Sequence, residues 1–183
     1  MQRIYITVLV VIVAITAACK KNNNTTTDPN NIPGLPPATQ TGANTLGFLL
    51  NGQPWVPSGN NGSGNNLSID YDPGINNGAF GISAYRATTY IDDDFGIGSW
   101  NLNSENFPCV INLQDNNRSN TSFYTTINCW LSSRDSGTLK SGFFYIDKLD
   151  NQKRIIAGRF EFILEKNGCA AVRVTQGRFD FKF

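Results

Sequence analysis

The chain is 183 residues long and contains no histidine, which excludes a Ser-His-Asp triad, a Cys-His dyad and every His-based metal site. Its 15 basic and 14 acidic residues give a formal charge of +1. No basic patch stands out, so the positive field that drives nucleic-acid binding is absent.

Met1-Gln2-Arg3 is a short charged start, and Ile4–Ala18 is an apolar run. The run is shorter than the ~20 residues a spanning helix needs. Small residues then precede Cys19. This pattern reads as a secretory signal over residues 1–18. It resembles the bacterial lipoprotein signal, with Thr16 standing where Leu, Ile or Val is usual. The resemblance implies that the Cys19 thiol carries a diacylglycerol and that acyl chains such as palmitate anchor the protein to a membrane. Residues 19–44 follow as the lipidated cysteine and a linker rich in Asn, Thr and Pro. With few large apolar side chains to bury, the linker is expected to stay disordered. Lys20-Lys21-Asn22 is not acidic, and the expected location is the periplasmic side of an outer membrane.

Residues 45–183 read as a single all-β domain, an antiparallel sandwich or partly closed barrel of about nine or ten strands. Leu46–Leu50 and Gln53–Val56 flank Asn51-Gly52, the signature of a tight hairpin with a type I′ turn. Pro54 suits an edge, since it cannot donate to a ladder. Leu67, Ile69 and Tyr71 line one strand, and Phe80, Ile82 and Ala84 the next. The Asp92–Asp94 run reads as a loop, followed by a Gly-rich strand through Phe95, Ile97 and Trp100. Phe107, Cys109, Ile111 and Leu113 share a face. Phe123, Thr125, Ile127, Cys129 and Leu131 share the face of one further strand. Arg134–Ser141 reads as a loop.

Gly142–Phe183 is expected to form a three-stranded meander. An Asn167-Gly168-Cys169 loop would set Phe162 opposite Val174 and Leu164 opposite Val172. Beyond Val174 the apolar residues shift to Phe179, Phe181 and Phe183. One extra residue is needed to keep them on the core face, so a bulge is expected at Gly177.

The stretches LPPATQTGANTLGFLLNGQPWVP (35–57), IAGRFEF (156–162) and VRVTQGRFD (172–180) resemble the opening and ending of a family of uncharacterised Bacteroidetes lipoproteins. The resemblance spans nearly the whole mature chain. It implies a lipidated, mostly β domain and supplies no catalytic residues. Phe48 stands where that family often has Cys, and Gln176 where it often has Asp.

With Cys19 lipidated, Cys109, Cys129 and Cys169 remain, an odd number for an exported protein. Cys109 and Cys129 lie on successive expected strands, as cross-strand disulfide partners or as buried thiols. Cys169 falls in a turn and is expected to be exposed. Asp92, Asp93 and Asp94 could supply oxygen ligands to Ca²⁺, without the spacing of an EF-hand, beside the alternative of a solvated acidic turn. No other cofactor is implied. Asp70, Asp72, Asp92, Asp93, Asp94 and Glu105 are the carboxylates from which a hydrolase pair could be drawn. Trp55, Trp100 and Trp130, with Tyr71, Tyr85, Tyr90 and Tyr124, could supply a stacking platform for a sugar, beside the alternative of core packing. Trp130 and Tyr124 alternate with the core face, so they are the aromatics best placed for exposure.

These readings rank three functions. The first is a lipid-anchored, non-enzymatic envelope domain that is structural or binds an envelope protein. The alternative is a module binding carbohydrate or another small ligand. The third is a carboxylate-dependent hydrolase. Oligomeric state is left open.

Overall fold

The computed structural model describes residues 31–60, 62, 64–125 and 129–183. The signal segment, Cys19 and Ile127 lie outside the described residues. The described chain forms eleven strands: β1 (Thr45–Leu50), β2 (Gln53–Trp55), β3 (Leu67–Asp72), β4 (Ala79–Ala87), β5 (Asp92–Ser99), β6 (Cys109–Asn112), β7 (Ser119–Thr125), β8 (Leu131–Ser132), β9 (Thr138–Asp150), β10 (Ile155–Lys166) and β11 (Val172–Lys182). One 3₁₀ turn spans Leu102–Ser104. The strands build a six-stranded sheet, β2-β1-β11-β10-β9-β6, and a five-stranded sheet, β3-β4-β5-β7-β8. Every strand pair is antiparallel. The architecture is a sandwich.

Two sheets face each other because each strand alternates apolar and polar residues and must bury one face. The interface is an aromatic seam. Phe48 of the larger sheet lies 4.9 Å from Phe95 of the smaller. Phe160 and Phe95 are 5.3 Å apart, and Phe144 and Phe80 are 5.5 Å apart. Burying each such ring contributes about 1.5–3 kcal/mol relative to leaving it in water. Phe48 is fully buried and stacks on Trp55 at 4.6 Å.

The expected β1–β2 hairpin is present. Leu50 pairs with Gln53, and Asn51 and Gly52 both have positive φ, as a type I′ turn requires. β2 is an edge strand, so Pro54 removes no ladder donor. In the C-terminal meander, Phe162 pairs with Val174 and Leu164 with Val172. The bulge falls one step earlier than expected. Phe160 opposes Gly177 and Phe162 opposes Val174, so Thr175 and Gln176 share one opposing residue. Gln176 takes the left-handed backbone, φ 55°. Gly177 serves a different need: a Cβ there would sit 2.5 Å from the Phe160 ring.

Several expected elements differ. The Asp92–Asp94 run belongs to β5, because the ladder to β4 and β7 runs through it and Asp93 turns inward to waiting partners. The expected single strand from Phe123 to Leu131 is two: β7 ends at Thr125, and β8 returns so that Phe123 pairs with Leu131. β9 begins at Thr138, inside the expected Arg134–Ser141 loop.

The linker also differs from expectation at its end. Residues 36–43 form a strap across the outer face of the larger sheet. Asp180 of β11 is 1% exposed. Its carboxylate accepts hydrogen bonds from Thr39 Oγ1 (2.6 Å), Thr41 N (2.9 Å) and Oγ1 (3.2 Å), Gly42 N (2.7 Å) and Ala43 N (3.2 Å). Beside it the strap runs close over Gly47, where a Cβ would meet Pro36 at 2.5 Å. Charge-assisted bonds to one carboxylate offset the ordering entropy that composition alone would leave unopposed.

Candidate functional site

On the outer face of the smaller sheet, the outward residues of β5 and β7 are half-exposed. On β5 the odd-numbered residues from Asp93 to Ser99 are buried, and Asp94, Gly96 and Gly98 face outward. Register carries that face across the sheet. Asp94 pairs with Tyr85 and Tyr124, and Gly96 with Ser83 and Ser122. Ser122 in turn pairs with Ser132 of β8.

Tyr124 and Trp130 meet on this face. Read as one strand, they would stand about 20 Å apart, six residues at ~3.3 Å each. The antiparallel pairing of β7 and β8 places them across from each other instead, with ring centroids 6.1 Å apart. Trp130 is 53% exposed. Trp130 directly follows Cys129, whose disulfide to Cys169 spans a Cα separation of 5.7 Å. That bond ties the β8 edge of the smaller sheet to the β10–β11 turn of the larger one.

The disulfide excludes a Cys109–Cys129 bond, one of the two readings the sequence left open. Cys109 lies on β6, beside β9 in the larger sheet, whereas Cys129 flanks β8 of the smaller sheet, so the two are not ladder neighbours. Cys109 is a buried free thiol. Burial, reinforced by the charge of Glu105, pushes its pKa up to about 11, which keeps it protonated and unreactive. Cys169 is half-buried rather than an exposed free thiol.

The three aspartates of the proposed Ca²⁺ run do not converge. Asp93 points into the core and Asp92 and Asp94 point away from it, as alternation in a strand demands. Asp93 is 2% exposed. Its Oδ2 accepts from Arg86 Nη2 (2.5 Å) and Nε (3.1 Å) and from Trp55 Nε1 (3.1 Å). No group of three metal-ligating side chains occurs among the described residues. Burial, then the charges of Asp92 and Asp93, raises the Asp94 carboxyl above its ordinary pKa.

Two other candidate carboxylates have structural partners. Asp72 accepts the Gly74 N–H at 2.7 Å in an Asx turn. Glu105 pairs with Arg118 at 2.7 Å. Asp70 is exposed on the outer face of β3. Tyr85 is largely buried because its hydroxyl donates to Gly64 O at 2.7 Å, so the loop before β3 closes over it.

The sequence counts Trp100 among the aromatics that could stack on a sugar but does not place it on this face. Trp100 continues the outward positions of β5, and the Arg134 guanidinium lies 5.0 Å from its ring centroid. Its parity with Gly96 and Gly98 was the available signal, obscured by the uncertain register of a Gly-rich strand. What the face offers chemically is aromatic stacking and hydroxyl or amide hydrogen bonding.

No family model, curated protein or solved structure matches this chain.

Proposed function

We propose that this chain is a lipid-anchored, non-enzymatic module of the cell envelope, and that it binds carbohydrate on the outer face of its smaller sheet. One observation carries the reading: Trp130, 53% exposed, stands 6.1 Å from Tyr124 on an uncovered sheet face. A large aromatic ring left in water costs stability that burial would recover. Two adjacent rings with one so exposed suit the apolar side of a pyranose. This observation moves carbohydrate binding ahead of a purely structural or protein-partner role. The hydrolase reading loses ground, because Asp93 and Glu105 are taken up by arginines.

Anchoring through Cys19 to the periplasmic side of the outer membrane belongs to the same proposal and rests on the N-terminal sequence. Titration of soluble oligosaccharides into the full chain tests binding. Trp130→Ala and Tyr124→Ala should each weaken it, and unchanged affinity in both would remove the pair from the site. Cys19→Ser should release the protein from the envelope fraction. A variant that still sediments with membranes contradicts the anchor.

A further inference from the structure

Resting on that reading of Tyr124 and Trp130, we propose that the ligand is an extended neutral glycan. It lies across the strands of the smaller sheet, in a low strip between two aromatic borders.

The register defines the strip. Its first border is the cross-strand row containing Tyr124, with Trp130 beside it. The next row is small and polar throughout: Ser68, Ser83, Gly96, Ser122 and Ser132, one from each of the five strands. The row after it holds Asp70, Gly81, Gly98 and Asn120. Trp100 with Arg134 forms the far border. Asp94 and Trp100 are six residues apart along the chain, so the borders stand about 20 Å apart at the backbone. Four inter-strand gaps of ~4.8 Å make the strip about 19 Å long. β3 and β8, the sheet edges, stand at its two ends.

The glycines keep the strip low. A Cβ on Gly96 would meet Ser122 Oγ at 2.9 Å, and one on Gly98 would meet Asn120 Oδ1 at 2.6 Å. The hydroxyl and the amide therefore lie down over the glycines and present polar atoms at floor level. A Cβ on Gly81 would meet nothing within 4 Å, so the space above it is open. Ser and Asn donate and accept, which matches the hydroxyls of a sugar. Asp70 and Asp94 oppose an anionic chain, and the Arg134 guanidinium is stacked over Trp100. The complement is a neutral, hydroxyl-rich polymer with apolar faces for its borders.

The test is calorimetry on the full chain with cello-, xylo- and manno-oligosaccharides of two to six rings. At least one series should bind, with affinity rising with length. Ser83 is exposed at mid-strip, and Tyr is well tolerated in strands. Ser83→Tyr should therefore block the strip and keep the wild-type melting temperature. It should lower six-ring affinity by about tenfold, the equivalent of one good stacking contact, and leave two-ring binding in place. Trp100→Ala should act in the same length-dependent way. Suppose instead that affinity is flat with length and neither variant changes it, while Trp130→Ala still removes binding. The strip is then wrong and the Tyr124–Trp130 reading survives. No heat from any series overturns both.

Discussion

The two sheets use their outer faces differently. The larger sheet covers part of its own with residues 36–43, held by the buried Asp180 carboxylate. The smaller sheet presents glycine, serine and an exposed tryptophan. On the first face polar groups are buried and hydrogen-bonded, so they hold the fold together. On the second they are half-exposed, so they contribute little to folding and are free to meet a ligand. Changes on the covered face should therefore cost stability, and changes on the bare face should cost binding.

The largest effect should come from cutting the link between the sheets. Cys129 and Cys169 are 40 residues apart in sequence, and chain-entropy reasoning gives about 4 kcal/mol for closing such a loop in the unfolded state. The double variant Cys129→Ser/Cys169→Ser should lose stability on that scale in urea melts. A loss below about 1 kcal/mol would mean that the unfolded chain is already compact around this loop.

Asp180→Ala comes next. It leaves the Thr41, Gly42 and Ala43 N–H groups without their acceptor, and about 3 kcal/mol should be lost. Limited proteolysis should then cut within residues 36–43 before it cuts the sheets. Acid should mimic the substitution. Burial alone would raise the Asp180 pKa, but the donors from Thr39, Thr41, Gly42 and Ala43 outweigh it, and the folded-state value is lowered. The unfolded chain then binds the proton more readily, so stability rises with pH in that window. The contribution is fully present above the unfolded-state pKa and is lost as pH falls through the lower folded value. Asp94 has the opposite sign, since its folded pKa is raised. The acid limb of a stability profile should flatten in Asp180→Ala. An unchanged limb would assign acid sensitivity elsewhere.

A smaller effect of opposite direction is expected at Gln176. A left-handed backbone at a non-glycine residue costs roughly 1–2 kcal/mol, partly returned by the added unfolded-state entropy of glycine. Gln176→Gly should stabilise by up to about 1 kcal/mol. Destabilisation would mean that the Gln176 side chain contributes more than its backbone costs.

Local pattern carried much of this architecture. The Asn51-Gly52 turn fixed one hairpin, and Phe162, Leu164, Val172 and Val174 fixed the meander register, because a slip by one residue would expose all four. What escaped the sequence depended on distant partners. Thr39 and Asp180 are separated by 141 positions, and nothing near Thr39 announces its acceptor. Asp93 reads as loop by propensity, yet Arg86 and Trp55 draw it into a strand. The cysteine pairing required knowing that β6 and β8 belong to different sheets. Alternation puts Tyr124 and Trp130 on one face, but their proximity depends on the pairing of β7 with β8, which the alternating pattern reads straight through.

The smallest expected effect is the most informative about the bare face. Trp130 is half in water, and its neighbour Tyr124 is half-buried. Surface substitutions away from caps, networks and strained backbone fall within about 0.5 kcal/mol. Trp130→Ala should therefore leave the urea midpoint and slope nearly unchanged while weakening the proposed glycan binding. A stability loss above about 1 kcal/mol would show that the indole packs the β8 edge against the sheet. The ring would then belong to the fold, as the covered face does, and the contrast between the two faces would fail at the residue on which it rests most.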